Sequence, residues 1–249
     1  MACALKRTGR IRMKKLGVIG GLGPMATVYF LQLLTCMTQA ETDQQHLEIL
    51  VHSRPQIPDR TDFILGKSSR DPFPEMTEVG RGLARQGAEL LAMPCITAHY
   101  FQSRLEEAIG VPVINAIEET AACLREHQIS RAGILATDGT IESGLFQEKF
   151  REYGIEAVIP GEESQTKVMH LIYRNVKAGR EVEIPLFEQV SRELFRGGAQ
   201  VILLGCTELS LIKRDYPLRS GYLDVMEVLA RKAVLSCGVL KEKYHELIT

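Results

Sequence analysis

No stretch of this chain concentrates charge of one sign. Its 249 residues carry a net charge of −1, with basic and acidic side chains interspersed. The basic field that nucleic acid or an anionic membrane requires is therefore missing. No apolar run is long enough to span a bilayer. The opening MACALKRTGRIRMKK is basic but lacks the apolar core of a signal peptide, and residues 1–12 read as a flexible leader. These absences predict a cytoplasmic protein whose partner is a small molecule, with no nucleic-acid or membrane partner.

Metal and disulfide signatures are also missing. The cysteines are Cys3, Cys36, Cys95, Cys123, Cys206 and Cys237, and none form a CxxC pair. Zinc-ribbon or thioredoxin-like chemistry is not signalled. Without a secretory signal, no disulfide framework is expected. The six histidines show neither HExxH nor HxxxH spacing, so no metal site is predicted. Cys36, Cys123 and Cys237 lie in helix-like stretches and read as small buried hydrophobes. Cys3 falls in the leader.

What is present is an ordinary globular composition, 45% hydrophobic and 24% charged. The length fits one large domain or two ordinary ones. The segments LGVIGG, LEILVHS, AELLAMPC, VPVINAI, RAGILATD, IEAVIPG, AQVILLGC and SGYLDVM read as strands. Between most of them lie amphipathic helical stretches such as MATVYFLQLLTCMTQ, SQTKVMHLIYRNVKAG and PLFEQVSRELFRGG. Strands that are apolar along their whole length and separated by helices predict an α/β fold with parallel sheets covered on both faces.

The pattern repeats. An apolar strand opens at Leu16, a second ends at Cys95 with Thr97 beyond it, and a third carries Asn115. In the other half the same landmarks are Ala132, Cys206 with Thr207, and Asp224, at similar separations. Two similar lobes, 13–126 and 127–249, follow, related by a pseudo-twofold with the active site between them. The chain is allowed to cross back between the lobes near its C-terminus. No Pro/Gly/Ser linker marks the join.

Each of Cys95 and Cys206 ends a strand, and ligands of open parallel sheets bind at the carboxyl ends of strands. Singly, each cysteine reads as a buried strand-end residue. Together, at matching places in a repeat, they suggest two thiols approaching one substrate from opposite faces. A thiolate on one side removes a proton; the thiol opposite returns one. A helix N-terminus after each strand is expected to lower the thiol pKa. Thr97 and Thr207 are placed to cap those helices or to hydrogen-bond a substrate carboxylate.

Other polar groups have two readings each. In GGLGPMAT, residues 20–27, Gly21, Gly23 and Ala26 formally match a dinucleotide fingerprint, but the next strand ends in His52 and Ser53 without the acidic residue that pattern wants. A loop whose backbone N–H groups hold a carboxylate fits equally well. Arg60, in the loop HSRPQIPDRTDFIL, can fork onto a carboxylate or be solvated. Lys167 sits where a helix dipole disfavours a cation. His99, four residues past Cys95, and Glu208, beside Cys206, are candidates for a supporting shell around the thiols.

Together IGGLGPMAT, PQIPDRT, MPCITAHYF, ESQTKVMHLIY and LLGCTEL resemble the aspartate/glutamate racemase family, nearest its aspartate-racemase branch. The resemblance runs from about Leu16 to Glu227. It implies a two-lobed α/β fold, amino-acid racemisation without pyridoxal phosphate, metal or other cofactor, and a homodimer. It places Cys95 and Cys206 on the catalytic thiols and Arg60 and Lys167 on the side-chain carboxylate. Thr97 and Thr207 fall on the α-carboxylate and amino group. One departure stands out: the family's Cys-Asn-Thr reads Cys95-Ile96-Thr97 here. Losing an asparagine contact costs roughly 1–3 kcal/mol of recognition. A related dicarboxylate isomerase or decarboxylase, or a non-catalytic ligand-binding relative, stay open as alternatives.

Overall fold

The computed structural model describes residues 13–248. Residues 1–12, with Cys3, lie outside the described residues.

The first parallel sheet has the order β2-β1-β3, with β1 Leu16–Gly20, β2 Ile49–Ser53 and β3 Leu90–Ala92. The second has the order β5-β4-β6-β7, with β4 Arg131–Leu135, β5 Glu156–Val158, β6 Val201–Leu204 and β7 Tyr222–Asp224. Parallel neighbours need a crossover between them, and helices supply it. The chief ones in the first lobe are α1 Pro24–Met37, α2 Arg60–Ile64, α3 Phe73–Arg85, α4 Gln102–Ile109 and α5 Ala116–Glu126. In the second they are α6 Asp138–Glu142, α7 Leu145–Glu152, α8 Glu162–Met169, α9 Ile184–Arg196, α10 Thr207–Asp215 and α11 Val225–Cys237.

One expected strand is nearly lost. VPVINAI contributes only a parallel bridge, Leu91 to Val113. Leu91 N–H donates to Pro112 C=O and Ile114 N–H to Leu91 C=O. Pro112 has no N–H to extend the ladder. The bridge still occupies the position that β7 holds in the other sheet. Immediately after it, Asn115 Oδ1 accepts from the N–H groups of Ile117 and Glu118 and starts α5. After β7, Asp224 Oδ1 accepts from Met226 N–H and starts α11. The repeat thus extends to its helix caps.

Side-chain alternation divides the apolar interior into three clusters. Leu16, Val18, Ile134 and Leu203 face a central cluster shared by both lobes and completed by α1, α5 and α11. Ile19 and Leu91 face an outer cluster with Met76, Leu83 and Phe101 of the first lobe. Leu135, Ile202 and Leu204 face the other outer cluster, with Phe187 and Leu194. Helix α11 packs on α1 and α5. The segment after it hydrogen-bonds to the end of α1, Lys241 N–H to Met37 C=O and Gln39 N–H to Val239 C=O. Among the described residues no helix is long and apolar enough to cross a membrane.

Candidate active site

Cys95 and Cys206 follow β3 and β6 at the carboxyl edges of the two sheets, and each is 6% exposed. Both line one small cavity of about 10 Å³. Its walls include Ile96, Thr97, Thr137, Thr207 and Tyr173. That volume is at the lower limit for one water, so the thiols face a narrow space. Asp59, Arg60, Lys177 and Glu208 line this cavity and also a larger outer one of about 540 Å³. These four form the neck between the two. Gly21, Gly23, Met25, Ile57, Val176 and Leu211 line the outer cavity.

Arg60 is the first residue of α2, whose N-cap is Asp59. Its guanidinium donates to the carbonyls of Ile57, Pro58 and Leu22 at 3.2, 2.9 and 3.4 Å. Its Nε is buried without a partner among the described residues. Burial alone lowers the guanidinium's pKa, but Cys95 and Asp59 together outweigh it and hold it above its ordinary value. Its cation thus lies against Cys95, with one N–H unspent.

The second cation of the neck is Lys177. Residues 170–176 form a π-helical segment continuing from α8, and Lys177 follows it. Lys177 Nζ stands 4.0 Å from the Tyr173 ring centre and 3.9 Å from Asp59 Oδ2. Burial opposes its charge, while Glu208, Tyr173, Cys206 and Asp59 overcome that and raise its pKa. Lys167, expected in this role, is elsewhere: it pairs with Glu163 at 2.6 Å along α8 and lines neither cavity. Both lysines lie in one amphipathic stretch, and charge spacing could not tell them apart. Thr137 and Tyr173 carry no signal in the sequence, because only the tertiary fold brings them to the thiols.

The two cysteines meet different neighbours. Cys206 sits at the N-cap of α10, and its Sγ donates to Glu208 Oε2 at 2.9 Å. Burial pushes its pKa well up, Glu208 adds to this, and Lys177 opposes it. The expected lowering by a helix terminus is overridden here, since desolvating a thiolate outweighs a partial dipole. Cys95 is followed by a 3₁₀ turn, Ile96–Phe101, before α4. Neither threonine caps a helix: Thr207 is the first residue of α10, and its Oγ1 donates to Glu208 Oε2 at 3.2 Å. Thr97 Oγ1 joins the hydroxyls of Thr137 and Thr140 in the second lobe.

His99 turns away from both cavities. It is buried, and its Nδ1 lies 3.1 Å from the Cys95 carbonyl. Burial drives its pKa down, so it is neutral and braces the backbone. In the glycine loop, the Gly21 N–H donates to Thr27 Oγ1 and is spent internally. Gly21 has φ of +88°, and a Cβ there would lie 2.5 Å from the Arg54 nitrogen. Only glycine fits that turn. Gly23 brings lobe one close to Glu208, since a Cβ on it would lie 3.5 Å from Glu208 Oε1.

Residues 19–233 match the model of the Asp/Glu/Hydantoin racemase family. The broad specificity amino-acid racemase RacX of Bacillus subtilis is 25% identical over 88% of this chain and 96% of its own length. The aspartate racemase of Picrophilus torridus superposes with a TM-score of 0.79 at 31% identity, covering 93% of this chain and 98% of that one. A glutamate racemase from Francisella tularensis, solved with D-glutamate, shares the fold with a TM-score of 0.64 at 19% identity, over 91% of this chain and 81% of that one. A paired-lobe fold with a cysteine from each lobe in one cavity, matched along most of its length by this family's model, is a member of the Asp/Glu/Hydantoin racemase family.

Proposed function

We propose that the protein is a cofactor-independent amino-acid racemase in which Cys95 and Cys206 exchange the substrate's α-proton on opposite faces. Acidic amino acids, aspartate first, are the substrates tried first. One observation carries this reading: a thiol from each lobe lines the same narrow cavity, with Arg60 at its wall. One sulfur takes the α-proton as the C–H bond breaks. The electron pair left behind delocalises into the substrate carboxylate. The opposite thiol then protonates the planar carbon on its other face, and the configuration inverts.

An α-proton is weakly acidic, so the carboxylate must be stabilised as charge grows on it. The unspent Arg60 Nε–H and the Lys177 ammonium are the cations within reach of the neck. Asp59 and Glu208 offer the complementary acceptors for an ammonium group. The neck therefore pairs two cations with two carboxylates, which suits a zwitterion. The cavity between the thiols is smaller than an amino acid, so substrate enters only when the neck widens.

Incubation with L- and D-aspartate and L- and D-glutamate in D2O, without pyridoxal phosphate, tests the reading. Deuterium should appear at Cα with loss of optical activity, and Cys95→Ser and Cys206→Ser should each abolish racemisation. No exchange into any common amino acid would overturn it. Ile96 in the cavity wall favours a second reading, an isomerase or decarboxylase of a dicarboxylic acid. Turnover of maleate or a substituted malonate without amino-acid exchange would select it. A homodimer in the cytoplasm belongs to the same proposal, and light scattering tests the dimer.

A further inference from the structure

Although the fold repeats, the two thiols are not equivalent. Cys95 has a guanidinium beside it; Cys206 has a carboxylate accepting its S–H at 2.9 Å. We infer that Glu208 is a positioning residue that keeps the proton on Cys206 in the resting enzyme, leaving Cys95 as the first base. This rests on the racemase reading and assigns roles within it.

The geometry gives Glu208 three neighbours at once. Its Oε2 accepts from Cys206 Sγ and from Thr207 Oγ1. It faces Lys177, whose charge it supports. It is itself buried, so it holds a fixed position. The groups facing Cys206 are Glu208 on α10, Tyr173 on the π segment and Lys177 just after it. Across the cavity stand Cys95, Arg60 and Asp59. A thiolate at Cys206 would lie against the Glu208 carboxylate, with Lys177 shared between them. A thiol there satisfies the carboxylate instead. Burial adds to this preference by pushing the Cys206 pKa up.

The proton count closes. In the direction in which Cys95 is the base, Cys206 starts as S–H. After one inversion Cys95 has gained the substrate's α-proton and Cys206 has given its own to the product. The enzyme is then in its opposite form, with Cys206 as an anion beside Glu208. To reset the pair for the same enantiomer, Cys95 releases its proton to water and Cys206 takes one up from water, a transfer that Glu208 favours by accepting the Cys206 S–H.

Iodoacetamide labelling of the full-length protein, read cysteine by cysteine with peptide mass spectrometry across pH 6–10, tests this. Only the thiolate reacts, and the two cysteines are equally buried as residues. In the unsubstituted protein Cys206 should label more slowly than Cys95 at neutral pH. Glu208→Gln keeps the shape and removes the charge; it should lower the pH midpoint for Cys206 labelling by about one unit or more, a roughly tenfold change in thiolate population per unit. The Cys95 profile should hold. Glu208→Asp should restore part of the original midpoint. An unchanged Cys206 profile in folded Glu208→Gln, or Cys206 labelling faster than Cys95 in the unsubstituted protein, would overturn the inference. Labelling needs no turnover, so a failure of the racemase reading shows separately, in the D2O exchange.

Discussion

Thr97 Oγ1 and Thr137 Oγ1 lie 2.9 Å apart and join the two lobes beside the thiols. Thr140 closes the ring, 3.1 Å from Thr137 and 3.0 Å from Thr97. All three are buried. A hydroxyl both donates and accepts, so a three-membered ring satisfies each member without water. Thr97 is thus already engaged before substrate arrives. Removing one hydroxyl leaves its neighbours with a single partner. Thr140→Val should cost about 1 kcal/mol, or roughly 2–4 °C in Tm for a chain of this size. Thermal denaturation at fixed pH checks it.

Lys177 and Lys167 make contrasting predictions. Lys177 lies in the neck; Lys167 pairs on the surface with Glu163, a contact worth little. Lys177→Met should lower kcat/KM by about a hundredfold, as expected when a charged contact worth about 3 kcal/mol is lost. Lys167→Met should cost less than about twofold. Steady-state kinetics of both variants on the same substrate decides, and the reverse ranking would return Lys167 to the site.

Ile96 is buried in the central cluster while also lining the thiol cavity. Replacing it with asparagine exchanges packing for a hydrogen-bonding group. Ile96→Asn should raise kcat/KM on aspartate by about tenfold, a gain of about 1.4 kcal/mol in transition-state binding, while lowering Tm. Loss of activity would mean that isoleucine is fitted to another substrate.

Asp224 predicts how stability follows pH. Its Oδ1 accepts from Ser210 Oγ at 2.7 Å and from Met226 N–H at 2.9 Å, while Oδ2 is buried without a partner among the described residues. Burial, with Glu227 nearby, pushes its pKa up to about 7. An unfolded aspartate titrates near 3.9. A raised folded pKa means that the contribution of Asp224 to stability is fully present below about pH 4 and is lost as pH climbs through about 7. Asp224→Asn, matching Asn115 in the other lobe, should keep the helix cap and remove that loss. Its Tm should exceed that of the unsubstituted protein at pH 8, with the advantage gone at pH 4.

Much of this was legible in the sequence because the signals were local. β1, β4 and β6 are short apolar runs, and the cysteines stand at the ends of two such stretches. The repeat of a cysteine followed by a strand carrying a polar residue, Asn115 or Asp224, pointed to two related lobes. The neck was not legible. Lys177 reaches the cavity at the end of a π-helical segment, whose wider turn changes which side chains share a face. A helical wheel drawn at 3.6 residues per turn misplaces everything beyond it. The partners of each sulfur were also invisible, since Arg60 reaches Cys95 only through the fold. Glu208, close to Cys206 in sequence, was visible, but its hydrogen bond was not.

The two lobes meet in two ways. The chain passes directly from α5 into β4, and beyond β7 the helix α11 lies back on α1 and α5. Two attachments fix a relative position more narrowly than one: a panel held at a single point can swing and slide, and a second hold removes the slide. Cys95 and Cys206, borne by different lobes on one narrow cavity, owe their shared register to that pair of attachments.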